Sequence, residues 1–204
     1  MLNGQMRIGI YGGTFAPIHN GHVAAAEAFL RLMELDLLYI IPTAIPPHKQ
    51  IDASDDPLHR LRMCERVFAG RRDIVVSDME IARGGTSYTV DTLRALSGED
   101  RRLFLLMGTD MMLTLGEWRA PDEIFRLCYP VYVRRERDPI LEARIVAKNK
   151  EYLERFGKVV RRLPTDVIEL ASGDVRDMVR RGEPLDGLVP PAVALYIKEH
   201  GLYV

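Results

Sequence analysis

Apolar and polar residues follow two different rhythms along this chain. Short runs of apolar residues, which predict buried strands, alternate with longer segments whose apolar residues recur every three or four positions, which predict helices. The predicted strands cover residues 7–11, 37–41, 74–77, 103–107, 129–134 and 167–170. The predicted helices cover residues 21–34, 57–69, 88–96, 110–115, 121–127, 140–156, 173–181 and 192–200. Because strands alternate with helices, we expect right-handed βαβ units and a mostly parallel α/β sheet with helices on both faces.

Composition restricts the class of protein without identifying it. The 204 residues suffice for one domain, residues 1–204, and contents of 47% hydrophobic and 28% charged residues are ordinary for a globular protein. The formal net charge of −1 gives no attraction to nucleic acid or to an anionic membrane, and the apolar runs are too short to span a bilayer. The first residues lack a signal-peptide pattern, and Cys64 and Cys128 stand without a metal-binding or redox spacing. We therefore expect a cytoplasmic protein whose cysteines fill space in the core.

Five polar segments fall where a parallel sheet binds its ligands, near the carboxyl ends of the strands. Residues 12–22, 42–49, 108–110 and 171–176 directly follow predicted strands, and residues 84–89 follow the third strand at a distance. All five are rich in Gly, Ser, Thr, His, Lys or Arg. They predict a binding site for a polar or charged ligand.

The first of these segments has the chemistry of an anion site. Gly12 and Gly13 follow a buried strand, where the chain must turn and a ligand can approach bare backbone, and His19 and His22 precede a helix. Free N–H groups and the helix dipole point at such a turn, and two imidazoles would add donors for a phosphate. The histidines are alternatively solvated residues at the helix start, or metal ligands at short spacing. A cation is disfavoured at the positive end of a helix dipole and no third ligand lies nearby, so phosphate is favoured.

Residues in the other segments each have a structural and a functional interpretation. Thr86 or Ser87 can cap the helix that ends near residues 97–98, and its remaining N–H groups can hold a ligand carboxylate. Trp118 is a packing anchor or a stacking wall for a flat ring. Asp110 caps the next helix or takes a ribose hydroxyl, and Lys49 is a solvated charge or a phosphate ligand.

The stretch from Gly12 to His22 carries its histidines in the spacing H-x-G-H and resembles the nucleotidyltransferase superfamily that bears this motif. Ala16 stands where that superfamily commonly has an aspartate. The resemblance implies a Rossmann-like, doubly wound α/β fold with a small C-terminal helical portion. It also implies the transfer of a nucleotidyl group onto a phosphate.

The segment from Leu170 to Arg176 resembles the second motif of the same superfamily, I-S-S-T-x-I-R. Ser172 and Arg176 match that motif, whereas Ala171 and Gly173 replace its first serine and its threonine. The two motifs together imply a site for ATP.

Three further segments resemble one family of that superfamily, the bacterial nicotinate-nucleotide adenylyltransferases. They are its S-Y-T-x-D-T-L segment at residues 86–93, its G-x-D…W segment at residues 107–110 and Trp118, and its P-H-K loop at residues 46–49. The resemblance implies transfer of the adenylyl group of ATP to nicotinate mononucleotide. The products would be nicotinate adenine dinucleotide, a precursor in NAD biosynthesis, and pyrophosphate.

The same resemblance implies a role for each matching residue. The catalytic residues would be His19, His22 and Arg176. The ATP-binding residues would be Gly12, Gly13, Thr14, Phe15, Gly108, Asp110 and Ser172. The nicotinate mononucleotide-binding residues would be Lys49, Thr86, Ser87, Tyr88 and Trp118. Mg²⁺ is expected through the phosphates of ATP with no metal ligand from the protein; neither nucleic acid nor membrane is an expected partner, and a homo-oligomer stays open.

Two rival interpretations stay open. One is a sister adenylyltransferase that uses nicotinamide mononucleotide or phosphopantetheine, although residues 86–92 and Trp118 argue against phosphopantetheine. The other is a catalytically weakened nucleotide-binding protein, favoured by the replaced motif residues Ala16, Ala171 and Gly173. The intact histidine pair and the arginine of the second motif argue against that weakened protein.

Overall fold

Six strands form one parallel sheet in the computed structural model of this chain, which describes residues 4–47, 55–134, 139–165 and 170–204. The strands are β1 (Met6–Gly13), β2 (Leu37–Pro42), β3 (Ile74–Val76), β4 (Arg101–Gly108), β5 (Cys128–Val133) and β6 (Arg161–Arg162). The helices in these ranges are α1 (Asn20–Leu32), α2 (Pro57–Val67), α3 (Met79–Arg83), α4 (Thr89–Leu96), α5 (Thr109–Thr114), α6 (Pro121–Leu127), α7 (Pro139–Phe156), α8 (Ser172–Arg180) and α9 (Pro191–His200). The strand order β3-β2-β1-β4-β5-β6, with every pair parallel, confirms the predicted Rossmann-like α/β fold.

Successive residues of the central strands point to opposite faces of the sheet. Ile10 of β1 and Leu105 of β4 belong to a core layer shared with α4, α5, α6 and α7. Tyr11 and Leu106, one residue later, belong to the opposite layer, which is shared with α1, α2, α8 and α9. Helices therefore cover both faces, and α8 and α9 form the expected C-terminal helical portion. Within the described ranges, no helix combines the length and the apolar character needed to cross a membrane.

The predicted elements agree with the structure to within two residues at each end for β1 to β5 and for eight of the helices in the described ranges. The sixth predicted strand falls for the most part on residues that the structure does not describe. Residues 167–169 lie outside the described residues, Leu170 is not in a strand, and β6 instead pairs Arg161 with Val131 of β5. Both residues of β6 are exposed and polar, so no apolar run marks it. Helix α3, with five residues, is too short to give a periodic pattern and was missed.

The two cysteines occupy the core as expected. Cys64 lies in the layer of α1 and α2, Cys128 lies in the layer of α6, and both are free and buried. Burial raises the pKa of the Cys128 thiol to about 12 and raises that of Cys64 as well. Neither thiol has the character of a reactive nucleophile.

Gly9 of β1 allows α1 and β2 to pack closely against the sheet. A Cβ at this position would lie 2.9 Å from Leu38 Cδ1 and 3.0 Å from Phe29 Cε1, and closer still to Leu35 Cδ1. Glycine ordinarily weakens a strand interior, so its presence here reflects the space that these side chains occupy.

We predict that Gly9→Ala lowers the free energy of unfolding by about 1–3 kcal/mol, the usual effect of overpacking a core. Chemical denaturation measures the change. Gly4→Ala is the control, because a Cβ at Gly4 would meet nothing within 4 Å. Equal stability of the two variants would show that the core around Gly9 accommodates the methyl group.

Candidate active site

A cleft of about 800 Å³ opens at the carboxyl ends of β1 and β4, the point where the strand order reverses. Most of the predicted site residues line it: Gly12, Gly13, Thr14, Phe15, His19, His22, Ser87, Tyr88, Gly108, Asp110, Trp118, Ser172 and Arg176. Thr86 is not among the lining residues. Lys49 lies outside the described residues.

The turn predicted at Gly12 and Gly13 begins two residues later. Strand β1 continues through both glycines, because Gly12 pairs with Ile41 and Gly13 pairs with Pro42 of β2. The residue with a left-handed backbone is Phe15, whose φ is 51°. A Cβ at Gly13 would lie 3.0 Å from the Phe15 ring, so a side chain there would require that ring to shift. The glycines therefore present extended rather than turned backbone to the cleft.

His19 and His22 cap α1 together. His19 Nδ1 accepts the backbone N–H of His22, and His22 Nδ1 accepts the backbone N–H of His19, both at 3.3 Å. The rings stack with their centroids 3.6 Å apart, and both side chains are more than nine-tenths buried. A ring nitrogen that accepts an N–H carries no proton, so this pattern assigns the proton of each neutral imidazole to Nε2. Each histidine is thereby an Nε2–H donor in the wall of the cleft.

The backbone N–H groups at the start of α1 are largely engaged. Asn20 N–H donates to Leu188 O at 2.8 Å, and the His22 N–H is used by His19. The row of free N–H groups predicted here is therefore wrong, because the turn at residues 185–188 packs against the start of the helix. An anion at this end of the cleft would meet imidazole donors in place of those backbone donors.

The second motif is bonded to the first through carbonyl groups. Arg176 Nη1 donates to Ala16 O at 2.6 Å, and Ser172 Oγ donates to Pro17 O at 3.0 Å. The bond to Arg176 uses the backbone of Ala16, so it does not depend on the side chain at that position. Helix α8 begins at Ser172, and the N–H groups of Ser172 and Gly173 have no acceptor within the helix. Both residues line the cleft, where these backbone groups lie beside the positions of the replaced hydroxyls.

The segment before α4 is bonded to the loop after β2. Ser87 N–H donates to Ile45 O at 2.8 Å, Ser87 Oγ accepts the Ala44 N–H at 2.9 Å, and Thr86 forms a β-bridge with Ile45. The N-cap residue of α4 is Tyr88, with no side-chain hydrogen bond. The prediction that Thr86 or Ser87 caps this helix was wrong, because the helix begins after Tyr88 and the loop after β2 engages the N–H and the hydroxyl of Ser87.

Two aromatic side chains, Tyr88 and Trp118, line the cleft near the start of α4 and are called the aromatic wall below. Tyr88 and Thr89 line the cleft. Their backbone N–H groups lie at the N-cap and at the first position of α4, where the helix offers them no hydrogen-bond acceptor. Trp118 lines the same cleft, packs at the edge of the core layer of α4 to α7, and donates from Nε1 to Thr114 Oγ1 at 3.3 Å. The Arg119 guanidinium carbon lies 4.5 Å from the centroid of the Tyr88 ring. Trp118 thus has both the packing contacts and the cleft position that the sequence allowed.

Asp110 lies in the first turn of α5, exposed and facing the cleft. The N-cap residue of that helix is Gly108, without a side-chain cap. Asp110 is therefore not the capping residue, and its carboxylate remains a candidate for a ligand hydroxyl.

Arg60 ties two loops of the cleft together and was not predicted. Its fully buried guanidinium donates from Nη1 to Thr14 O at 2.8 Å and from Nη2 to Ala44 O at 3.3 Å, and Nε lies 3.3 Å from Asp55 Oδ1. Burial lowers the pKa of Arg60, and Asp55 opposes that shift. The sequence signal was its helical spacing from the buried Cys64, which puts an arginine on the apolar face of α2.

Glu80, Thr92 and Tyr203 are among the unpredicted side chains that line the cleft. Burial raises the pKa of the Glu80 carboxyl. Burial and Asp55 raise the pKa of the Tyr203 phenol, and the positive charges of Arg60 and Arg176 oppose that rise. Tyr203 was missed because no pattern in the last residues of the sequence predicts that they line a cleft.

The comparisons with known proteins agree with this geometry. The cytidylyltransferase-like family pattern matches residues 10–173. The chain is 38% identical to the probable nicotinate-nucleotide adenylyltransferase of Geobacter sp. (strain M21), with 98% of this chain and 99% of that one covered. It is 32% identical to the enzyme of that name from Desulfatibacillum aliphaticivorans, with 98% and 100% covered. Its fold is similar to the Plasmodium falciparum nicotinic acid mononucleotide adenylyltransferase complexed with NaAD, at a TM-score of 0.74 and 16% identity, with 97% of both chains covered.

The sheet order, the cleft at its switch point and the two motifs bonded across it define a cytidylyltransferase-like nucleotidyltransferase. Within that class, the chain belongs to the nicotinate-nucleotide adenylyltransferase family. The family resemblance noted in the sequence is thereby confirmed.

We predict that Arg60→Lys lowers the free energy of unfolding by about 1–3 kcal/mol, since a single, shorter-reaching nitrogen replaces Nη1 and Nη2, which serve the two carbonyls separately, and one carbonyl should lose its partner. Arg62→Lys on the same helix is the matched control. The Arg62 side chain is 62% exposed and, among the described residues, forms its ion pair with Glu65, so its change should stay within about 0.5 kcal/mol. Thermal and chemical denaturation of the two variants decide the matter, and equal losses would remove the linking role assigned to Arg60.

Proposed function

We propose that residues 1–204 act as one catalytic domain that transfers the adenylyl group of ATP to nicotinate mononucleotide. The observation that carries this proposal is the single cleft lined by the histidine pair, by Arg176 and by the aromatic wall at the start of α4. One end of such a cleft suits a triphosphate and the other suits a flat ring with an acidic substituent.

The proposed reaction needs no nucleophile from the protein. A phosphate oxygen of nicotinate mononucleotide attacks the α-phosphorus of ATP, a new P–O bond forms, and the bond to the bridging oxygen of the β-phosphate breaks. Pyrophosphate carries away the electron pair of that bond. The attacking oxygen is already ionised near neutral pH, so the protein contributes orientation and stabilisation of charge.

His19 and His22 are the proposed donors to the reacting phosphates. The mutual cap leaves the proton of each neutral ring on Nε2, and a neutral N–H donor suits a phosphate oxygen. The stacking of the rings limits their rotation, which supports a preorganised pair of donors.

Arg176 and the start of α8 are proposed to bind the β- and γ-phosphates. Arg176 uses one N–H for Ala16 O and has others to offer an anion. The N–H groups of Ser172 and Gly173 would replace the hydroxyls missing at positions 171 and 173. The Ser172 hydroxyl would have to turn away from Pro17 O before it could donate to a phosphate. The remaining proposed ATP ligands are Gly12, Gly13, Thr14, Phe15, Gly108 and Asp110.

Mg²⁺ is proposed to reach the cleft on the phosphates of ATP, where it would neutralise charge on the triphosphate. The groups proposed for the triphosphate are imidazole, guanidinium and backbone N–H donors, which suit phosphate oxygens better than a cation, although Asp55 and Asp56 line the same cleft. Among the described residues, no group of three or more His, Cys, Asp or Glu side chains is arranged to hold a metal ion.

The nicotinate ring is proposed to stack near Trp118 with its carboxylate toward the start of α4. Because Ser87 N–H is bonded to Ile45 O, the donors proposed for the carboxylate are the N–H groups of Tyr88 and Thr89. Lys49 remains proposed for the acceptor phosphate or pyrophosphate, and Thr86 has only a supporting position.

We predict that His19→Asn and His22→Gln lower kcat/KM by about 100- to 1,000-fold while the protein stays folded. Asn is a favourable N-cap residue and Gln at the third helical position can complete a capping box, so both variants keep the cap and lose the imidazole donor. Steady-state kinetics and melting temperatures are the measurements.

Asn20→Ala is the control for this pair, because it alters the same helix start at a bond to Gly187 O and does not line the cleft. It should keep its turnover. Near-normal kcat/KM in a folded His19→Asn or His22→Gln variant would contradict the phosphate role of that histidine.

We predict that kcat/KM favours nicotinate over nicotinamide mononucleotide by at least about 100-fold, since an amide turned toward N–H groups leaves donors unpaired. Trp118→Ala should weaken both acceptors and keep much of this ratio, because stacking does not distinguish acid from amide. Pyrophosphate release with each acceptor measures both effects. Equal efficiency with the two mononucleotides would contradict the proposed acid specificity.

A further inference from the structure

Glu80 is a buried carboxylate at the wall of the cleft that none of the proposed roles uses. It lies on α3, the short helix before the segment that leads into α4, and only 5% of its surface is exposed. It lines the cleft together with Ser87, Tyr88 and Thr92. The acceptor end of the cleft therefore contains a carboxyl group as well as the donors at the start of α4.

The two oxygens of Glu80 differ in their bonding. Oε1 accepts the Thr92 hydroxyl at 2.6 Å, Arg83 Nη2 lies 4.0 Å from Oε1, and the same nitrogen donates to Thr92 Oγ1 at 3.2 Å. Oε2 is buried and has no hydrogen-bond partner among the described residues. Thr92, Ser87 and Arg83 partly offset the rise in pKa that burial imposes on this carboxyl. Thr92 holds the carboxylate in place through Oε1, while Oε2 keeps unused acceptor capacity.

A buried acceptor without a partner is unfavourable unless a ligand completes it. The Glu80 site is also braced, because Ser87 is bonded both to Ala44 N–H and to Ile45 O. The carboxylate thus sits in a fixed frame at the cleft wall, which is the setting of a binding group rather than of a solvated surface charge.

The chemistry of nicotinate mononucleotide limits what Oε2 can receive. Its carboxylate and its phosphate offer acceptor oxygens and negative charge, and its ring nitrogen is quaternary and has no proton. Its ribose hydroxyls are the groups that donate hydrogen bonds. We infer that Glu80 Oε2 accepts a hydrogen bond from a ribose hydroxyl of the acceptor mononucleotide. The inference rests on the proposed function, and it adds a binding residue that contacts the ribose rather than the pyridine ring.

The first test uses the native protein and two analogues of nicotinate mononucleotide, with fluorine in place of the 2′- or the 3′-hydroxyl. Fluorine nearly keeps the size of the hydroxyl and removes its proton. One analogue should lose about 10- to 100-fold in kcat/KM, the range for a hydrogen bond to a charged group. Normal efficiency with both analogues would overturn the inference.

The second test combines the analogues with Glu80→Gln. The variant should lose a similar factor with the natural substrate, keep its KM for ATP, and show no further loss with the sensitive analogue. Such non-additivity is the signature of a direct contact, and a merely structural role would give additive losses. Glu65→Gln, an exposed glutamate of α2 outside the cleft, is the matched control and should behave like the native protein.

Three outcomes would count against the sugar contact. In the first, the losses of kcat/KM caused by Glu80→Gln and by the fluorinated mononucleotide multiply. In the second, Glu80→Gln instead removes the loss caused by fluorine on the ribose of ATP. In the third, Glu80→Gln changes the ratio of kcat/KM for acid and amide but leaves the loss caused by the fluorinated mononucleotide unchanged. If Glu80→Gln does not fold, the comparison of analogues on the native protein still decides. Failure of the proposed function would look different, because the native protein would then release no pyrophosphate with unmodified nicotinate mononucleotide.

Discussion

The parallel pairing of β1 with β4 is the constraint on which the site depends. These strands are separated by almost half of the chain, yet Ile8 to Tyr11 pair in register with Leu103 to Leu106 at the centre of the sheet. The pairing brings the loop after β1 and the loop after β4 side by side and creates the point where the strand order reverses. A site that binds two substrates side by side needs two such loops at once. The cleft therefore follows from the order of the strands.

Side-chain bonds to loop carbonyls then give the cleft its shape. Arg60 serves the carbonyls of Thr14 and Ala44, and Arg176 serves that of Ala16. Both guanidiniums come from helices on one face of the sheet, and both donate to loop carbonyls, while Arg60 also pairs with the Asp55 carboxylate. A contact of this kind tolerates substitutions in the loop, which explains how Ala16 can stand in the first motif without loss of the bond to Arg176.

The fold was largely predictable because long amphipathic helices and buried strands leave regular patterns. β6 escaped because two exposed arginines leave no pattern, and α3 escaped because five residues hold too little of a helical period. The candidate site was predictable wherever a motif names its residues, as with His19 and Arg176. The hydrogen-bond partners of the backbone N–H groups could not be predicted. Ser87 N–H donates to Ile45 O and Asn20 N–H donates to Leu188 O, and only the fold brings these partners near. Glu80 was missed for the same reason, because its burial depends on the contact of α3 with the segment before α4.

The reciprocal cap of His19 and His22 has a consequence for the heat and entropy of binding. Each ring is held by the backbone N–H of the other residue and by the stacking of the two rings, so neither side chain keeps its full rotational freedom in the unliganded protein. Rotamer entropy that a flexible donor would lose on meeting a phosphate has already been lost on folding. The proposed association of a triphosphate with this pair should therefore carry a smaller entropic penalty than association with two mobile side chains of equal charge. The rigidity of this helix cap therefore affects the entropy with which a ligand binds.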